Sequence, residues 1–169
     1  MFSIRLAKSA DISRLARIRV DTWCVAYHVR VPEAALNSRT IKGRAAYWRA
    51  RLDQPFGSVF VIEFDELIGF CDLVPSRDRD ADPKSIAEIA AMYVIPDHWR
   101  VGAGRALCSH AMAEARKRGY RAVTLWALAS NHDALRFYEA LGFTRDGSVK
   151  ISTAPDGGNV HEIRYRTKL

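Results

Sequence analysis

Two hydrophobic periods alternate along the chain, and each change of period marks an element. Residues 2–7 (FSIRLA) alternate over a short stretch and predict a first strand. Ile12, Leu15 and Ile18, with Val20 and Trp23 nearby, recur at helical spacing behind a cap at Ser9 or Asp11, predicting a helix to about Tyr27. A connection over 28–38, around Pro32, leads to a second helix from Thr40 to Asp53. It carries Ile41, Ala45 and Trp48 on one side and Lys42, Arg44, Arg49 and Arg51 elsewhere, and Pro55 closes it. GSVFVIEF (57–64) and LIGFCDLV (67–74), joined at Asp65-Glu66, read as two strands of a meander. The most polar stretch follows, PSRDRDADPKS (75–85). Its alternating Asp and Arg read as an exposed, solvated loop.

IAEIAAMYVI (86–95) has helix formers in its alanines and Glu88, yet its Ile, Tyr and Val positions ending at Pro96 favour a strand. The helix predicted over 103–118 aligns Ala103, Leu107, Ala111 and Ala115, with Cys108 and Met112 beside them. Arg116, Lys117 and Arg118 suit the negative end of its dipole, and Gly119 suits its C-cap. RAVTLWALA (121–129) is a strand. Asn131 caps a short helix from His132 to about Leu141, ended by Gly142, and a strand from Phe143 to about Ile151 follows. After a turn at 153–159, VHEIRYRTK (160–168) alternates as the final strand. This is the order of a mixed α/β domain. Strand–helix–strand succession is confined to 86–151, so a doubly wound nucleotide fold does not fit.

Composition narrows the class. With 169 residues, 49% of them hydrophobic and 27% charged, the chain suits one domain, 1–169, with its own core. Cys24, Cys71 and Cys108 are odd in number, far apart and set among apolar residues, as buried reduced thiols would be. No apolar run approaches a membrane span of about 20 residues, and the start has no signal-peptide core; a cytoplasmic protein without membrane contact is expected. The formal charge of +7 is spread over both halves and suits a polyanion, either nucleic acid or a small phosphorylated cofactor. A basic stripe interleaved with aromatics is missing. Nucleic acid is therefore not expected, and a basic nucleic-acid-binding module stands as the lesser alternative. The five histidines have no ligand spacing, so no metal is expected.

Chemistry concentrates in residues 94–107, VIPDHWRVGAGRAL, where a strand ends and a helix begins. The first amides of a helix have no intrahelical acceptor, and Gly102 and Gly104 permit a tight backbone turn in front of them, the setting of an anion site. Arg100 and Arg105 add charge. Leu107 stands where a dinucleotide fingerprint has its third glycine, and no Gly-Lys-Ser/Thr follows. The plain alternative is a strand–turn–helix with no ligand. On the 132–141 helix Tyr138 shares a side with Ala134, Leu135 and Leu141, as a core aromatic or as a phenol reaching a cleft. A phenol, titrating near ~10 in water, is a competent acid for a departing thiolate.

Met92-Tyr93-Val94-Ile95-Pro96, then Arg100-Val101-Gly102-Ala103-Gly104-Arg105-Ala106-Leu107, then Asn131, Ala134, Phe137-Tyr138-Glu139 and Leu141-Gly142-Phe143, in this order and spacing, resemble the two central motifs of the GNAT superfamily of N-acetyltransferases. The resemblance covers nearly all of 2–168. It implies a twisted, mostly antiparallel sheet of about seven strands with about four helices, acetyl-CoA as donor, and an amine of a small molecule or a peptide as acceptor. It also implies that amides from Trp99 or Arg100 to Arg105 bind the diphosphate. The backbone of Met92, Tyr93 and Val94 would pair with the pantetheine arm beside two splayed strands, often with a bulge near Tyr93. Asn131 would help hold the arm, and Tyr138 would protonate the leaving thiolate. The pattern departs at Trp99, where Gln or Arg is usual. Strand parity places Glu88 with Met92 and Val94; it is the candidate base, or else a solvated or salt-bridged strand residue. Tyr27 and His28, at a helix–loop junction, are the candidate acceptor contacts. The family implies a homodimer, for which the final strand offers an edge. A non-catalytic acyl-CoA sensor is the alternative within the family.

Overall fold

The computed structural model describes residues 1–27, 41–153 and 159–169. Strands β1 (Ser3–Leu6), β2 (Ser58–Phe64), β3 (Glu66–Pro75), β4 (Ile86–Val94), β5 (Ala122–Leu128), β6 (Thr144–Thr153) and β7 (Asn159–Lys168) form one sheet in the order β1-β2-β3-β4-β5-β7-β6. Neighbours run antiparallel except β4 and β5, which are parallel. The described helices are α1 (Ile12–Tyr27), α2 (Ile41–Leu52), α3 (Ala103–Lys117) and α4 (His132–Glu139). The expected mixed fold is present, with element ends within two residues of their predicted places. The expected edge is not: β7 lies between β5 and β6, so β6 is the outer strand.

Each face of the sheet has its own core. Ala103, Leu107, Cys108, Ala111 and Ala115, the predicted stripe of α3, pack with Leu135 of α4 against Phe60, Ile62, Cys71, Leu73, Ile89 and Leu125. On the other face Ile12, Leu15, Ala16 and Ile18 of α1 and Trp48 of α2 pack on Val59, Val61 and Phe70. Apolar neighbours therefore follow one another through most of β2 and β3, as burial on both faces requires. The same burial decides the ambiguous IAEIAAMYVI segment in favour of a central strand. Cys71 and Cys108 are fully buried free thiols, and burial pushes the Cys108 thiol up to about 12. At the chain start, the Asp11 carboxylate accepts the Lys8 amide and the Arg5 guanidinium (2.7 Å each), fixing β1 to the beginning of α1.

A bulge corrects the expected parity of β4. Asp72 faces Ala91 and Leu73 faces Ile89, which leaves Ala90 as the extra residue. From there the side chains change faces. Glu88 shares the α1/α2 face with Ala91 and Tyr93, whereas Met92 and Val94 join Ile89 on the α3 face. The bulge thus falls three residues before Tyr93.

Polar groups also bind the α1/α2 face together. The 75–85 loop is fastened down, contrary to its solvated appearance: Asp78 accepts the Trp126 indole N–H (3.0 Å), and Arg164 bridges Asp78, Asp80 and Asp146. Arg164 holds the Asp80 carboxyl down at about 2. Under α2, Arg51 donates through Nη2 and Nε to Asp72 (2.7 and 3.0 Å), with side-chain exposures of 9% and 1%. Burial raises the Asp72 carboxyl despite this partner. Removing the guanidinium would strand a buried carboxylate, so Arg51→Met is expected to lower the unfolding free energy by about 3 kcal/mol in urea titrations. A loss below about 1 kcal/mol would show that the pair does not hold α2 to the sheet.

Candidate active site

Beta strands β4 and β5 pair only over Ile86–Ile89 and Ala122–Leu125. Beyond that point Ala91–Val94 remain attached to β3 and Trp126–Leu128 to β7, so the facing edges separate. The Ile95 amide donates to Ile68 (2.9 Å). Backbone groups alternate in direction along a strand, so those of Tyr93 also turn toward β3 while those of Met92 and Val94 turn into the opening. Of the stretch 92–94, Met92 and Val94 are therefore the residues that offer backbone groups to a guest.

The opening ends at the 99–105 turn. Arg100 and Gly102 both have left-handed backbones, at φ 61° and 93°. Gly102 is required for that conformation and not for room, because a Cβ there would meet nothing within 4 Å. At Gly104 the close neighbour is protein: a Cβ would lie 3.3 Å from the Phe137 ring. The first bond of α3 runs from the Ala106 amide to Gly102 (2.9 Å). The amides of Ala103, Gly104 and Arg105 precede it and point out of the helix end, with Val101 exposed beside them. Arg100 is 86% exposed and its Nη2 lies 3.9 Å from Asp133 at the start of α4.

These contacts bring the two predicted motifs together. Asn131 caps α4, its Oδ1 accepting the Ala134 amide (3.3 Å). Half-buried Tyr138 packs edge-on against Phe137 and Phe143 at 5.2 and 5.8 Å between ring centres, on the same sheet face as Met92 and Val94. Trp99, the unusual residue of the turn, is held in place: its indole N–H donates to the Val94 carbonyl at 2.5 Å. It ties the turn to the end of β4 through one of the backbone groups that face the opening.

On the opposite face, Glu88 is 2% exposed and accepts three bonds from Arg77, from the backbone amide and Nε (3.1 Å each) and from Nη2 (2.5 Å). Of its two readings, the salt-bridged one describes its contacts. Arg77 had gone unnoticed within the polar 75–85 run, and so had Trp126 and Arg164, which line the same face. The available signal was a polar run adjoining a strand that carries a lone Glu. Tyr27 ends α1, but its side chain and His28 lie outside the described residues, as does the tip of the 153–159 turn. Trp48 is a core residue, 1% exposed. No cluster of metal-ligating groups occurs among the described residues.

Residues 20–143 match the family model described as Acetyltransferase (GNAT) family. An uncharacterized N-acetyltransferase of Bacillus subtilis, YuaI, is 30% identical over 142 residues, covering 83% of this chain and 79% of that one. The mycothiol acetyltransferase of Sanguibacter keddieii is 35% identical over 100 residues, 57% of this chain and 32% of its own length. Among solved structures, yncA of Salmonella typhimurium with its cofactor acetyl-CoA superposes with a TM-score of 0.74 at 24% identity, covering 100% of this chain and 94% of that one. With its fold, its divided strands and this match, the chain belongs to the GNAT family of acetyltransferases, enzymes whose donor is acetyl-CoA.

The Trp99 tie has a measurable worth. Trp99→Phe removes the N–H and keeps most of the ring, and is expected to reduce stability by about 1 kcal/mol in chemical unfolding. An unchanged midpoint would mean that the bond does not anchor the turn.

Proposed function

We propose that this chain transfers an acetyl group from acetyl-CoA to a primary amine by direct attack, with both substrates held at once. The observation that carries this reading is the opening between β4 and β5, with Met92 and Val94 on its edge, the α3 amides at its end and Tyr138 on the same face. The residues fit the donor. The left-handed Arg100 and Gly102 set the turn, and the amides of Val101, Gly102, Ala103, Gly104 and Arg105 suit a diphosphate, reinforced by the exposed Arg100 and Arg105. Met92 and Val94 suit an amide-bearing arm, with Tyr93 contributing through its place in the ladder and Asn131 through the start of α4.

The donor supplies an electrophilic thioester carbonyl and a thiolate leaving group. A Met92 or Val94 amide meets the negative charge that develops on the carbonyl oxygen. Tyr138 gives a proton to sulfur, which makes the thiol a better leaving group. Glu88 takes a proton from the acceptor ammonium, directly or through water, because only the neutral amine is a nucleophile. Its place on the α1/α2 face puts it on the side of the sheet away from α3, and Tyr27, which ends α1, and His28, next in sequence, are the acceptor contacts. A small-molecule or peptide amine in the cytoplasm is the acceptor class.

Calorimetry with acetyl-CoA tests the donor, and thiol release across a panel of amines tests transfer; no binding at ~100 μM would sink the reading. Tyr138→Phe is expected to lower kcat by ~100-fold or more while the KM for acetyl-CoA stays within a few-fold. Full turnover would remove the acid assignment. Glu88→Gln is expected to lose activity by a similar factor at neutral pH and to recover part of it as the pH approaches the acceptor's own pKa. An unaltered rate at neutral pH would exclude Glu88 as the base.

A further inference from the structure

On the α1/α2 face a pocket of about 450 Å³ lies between α2, β3 and the start of the 75–85 loop. That volume suits a small molecule, within the ~300–1,000 Å³ of ordinary ligand sites. Ala90, the bulge residue just past the last β4–β5 pair, forms part of its lining, so the pocket reaches β4 where the opening begins, from the side away from α3. Tyr47 and Phe56 stand at it with 45% and 51% of their surfaces exposed, an apolar rim for a compact body.

The charged groups in the pocket are not equally available. Arg51 and Asp72 satisfy one another, and Arg51 also donates to the Phe56 carbonyl (3.2 Å). Arg77 differs: its side chain is 62% exposed, it holds buried Glu88 with Nε and Nη2, and its Nη1 has no hydrogen-bond partner among the described residues. The pocket therefore presents one accessible cationic fork, already engaged on its inner side. An anion entering from solvent meets the free arm first and competes with Glu88 for the rest.

We infer that the acceptor is an amino acid, an amine with an adjacent carboxylate, and that Arg77 recognises this carboxylate and in doing so releases Glu88 to accept a proton from the ammonium group. The inference deepens the acetyltransferase reading and rests on it for the role of Glu88. In the proton step the ammonium N–H bond breaks and a Glu88 O–H bond forms, the electron pair remaining on nitrogen for attack. An amine lacking the carboxylate leaves the Arg77–Glu88 pair closed.

The test is binding, measured calorimetrically on the full chain saturated with coenzyme A. The probes are leucine, phenylalanine, histidine and glutamate, each set against the decarboxylated amine with the same side chain. At least one acid is expected to bind about 10-fold or more tightly than its amine, as a charge-assisted bidentate contact would give, and Arg77→Gln should abolish the difference. Arg77→Lys, which keeps the charge and loses the fork, should fall between. Should Arg77→Gln fail to fold with Glu88 left unpaired, the Arg77→Gln/Glu88→Gln pair removes both charges and must still lose the preference. Equal affinities for every acid and its amine, absence of binding by all four acids, or a preference that survives loss of Arg77 overturns the proposal. Acetylation of the amines as fast as the acids would leave acetyl transfer intact and overturn only this recognition.

Discussion

The separation of β4 from β5 is the constraint on which the rest of the structure depends. Two central parallel strands that pair over four residues and then part leave a row of backbone donors and acceptors in the middle of the protein. Such groups are costly to bury without partners. The fold meets that cost partly by itself: β3 and β7 hold the outer edges, and the Trp99 indole takes the Val94 carbonyl. What is left over is a linear set of peptide groups facing a gap, which suits a guest with amides of its own.

The helices follow from this gap. The small-residue stripe of α3 lets the helix sit close to the sheet with its N-terminus at the end of the opening, where its unpaired amides collect. Phe137 of α4 rests against Gly104, so the turn and Tyr138 are fixed relative to each other by packing. On the far face, the Arg51–Asp72 and Arg77–Glu88 pairs hold α2 and the polar loop against the same strands. One layer carries the unpaired amides at the start of α3, and the other is lined with paired charges and aromatic rims.

Much of this was legible in the chain. The period changes marked the elements because burial on two faces, on one face, or along a stripe each leaves its own repeat, and the spacing of Gly102, Asn131 and Tyr138 marked two motifs that the fold brings together. The α1/α2 face was obscured for physical reasons. Ala90 is a bulge only in relation to Asp72 and Leu73, residues distant in sequence, so simple alternation put Glu88 on the wrong face. Asp78 and Arg77 looked solvated because their partners Trp126, Arg164 and Glu88 lie elsewhere in the chain. Pairing across a sheet is invisible to any local pattern.

The extra residue in β4 acts on the strand as a frameshift acts on a message. Before it and after it, odd and even positions exchange meanings, so that Glu88 and Tyr93 face α1 and α2 while Met92 and Val94 face α3. A one-residue insertion or deletion between Glu88 and Met92 would reverse those assignments.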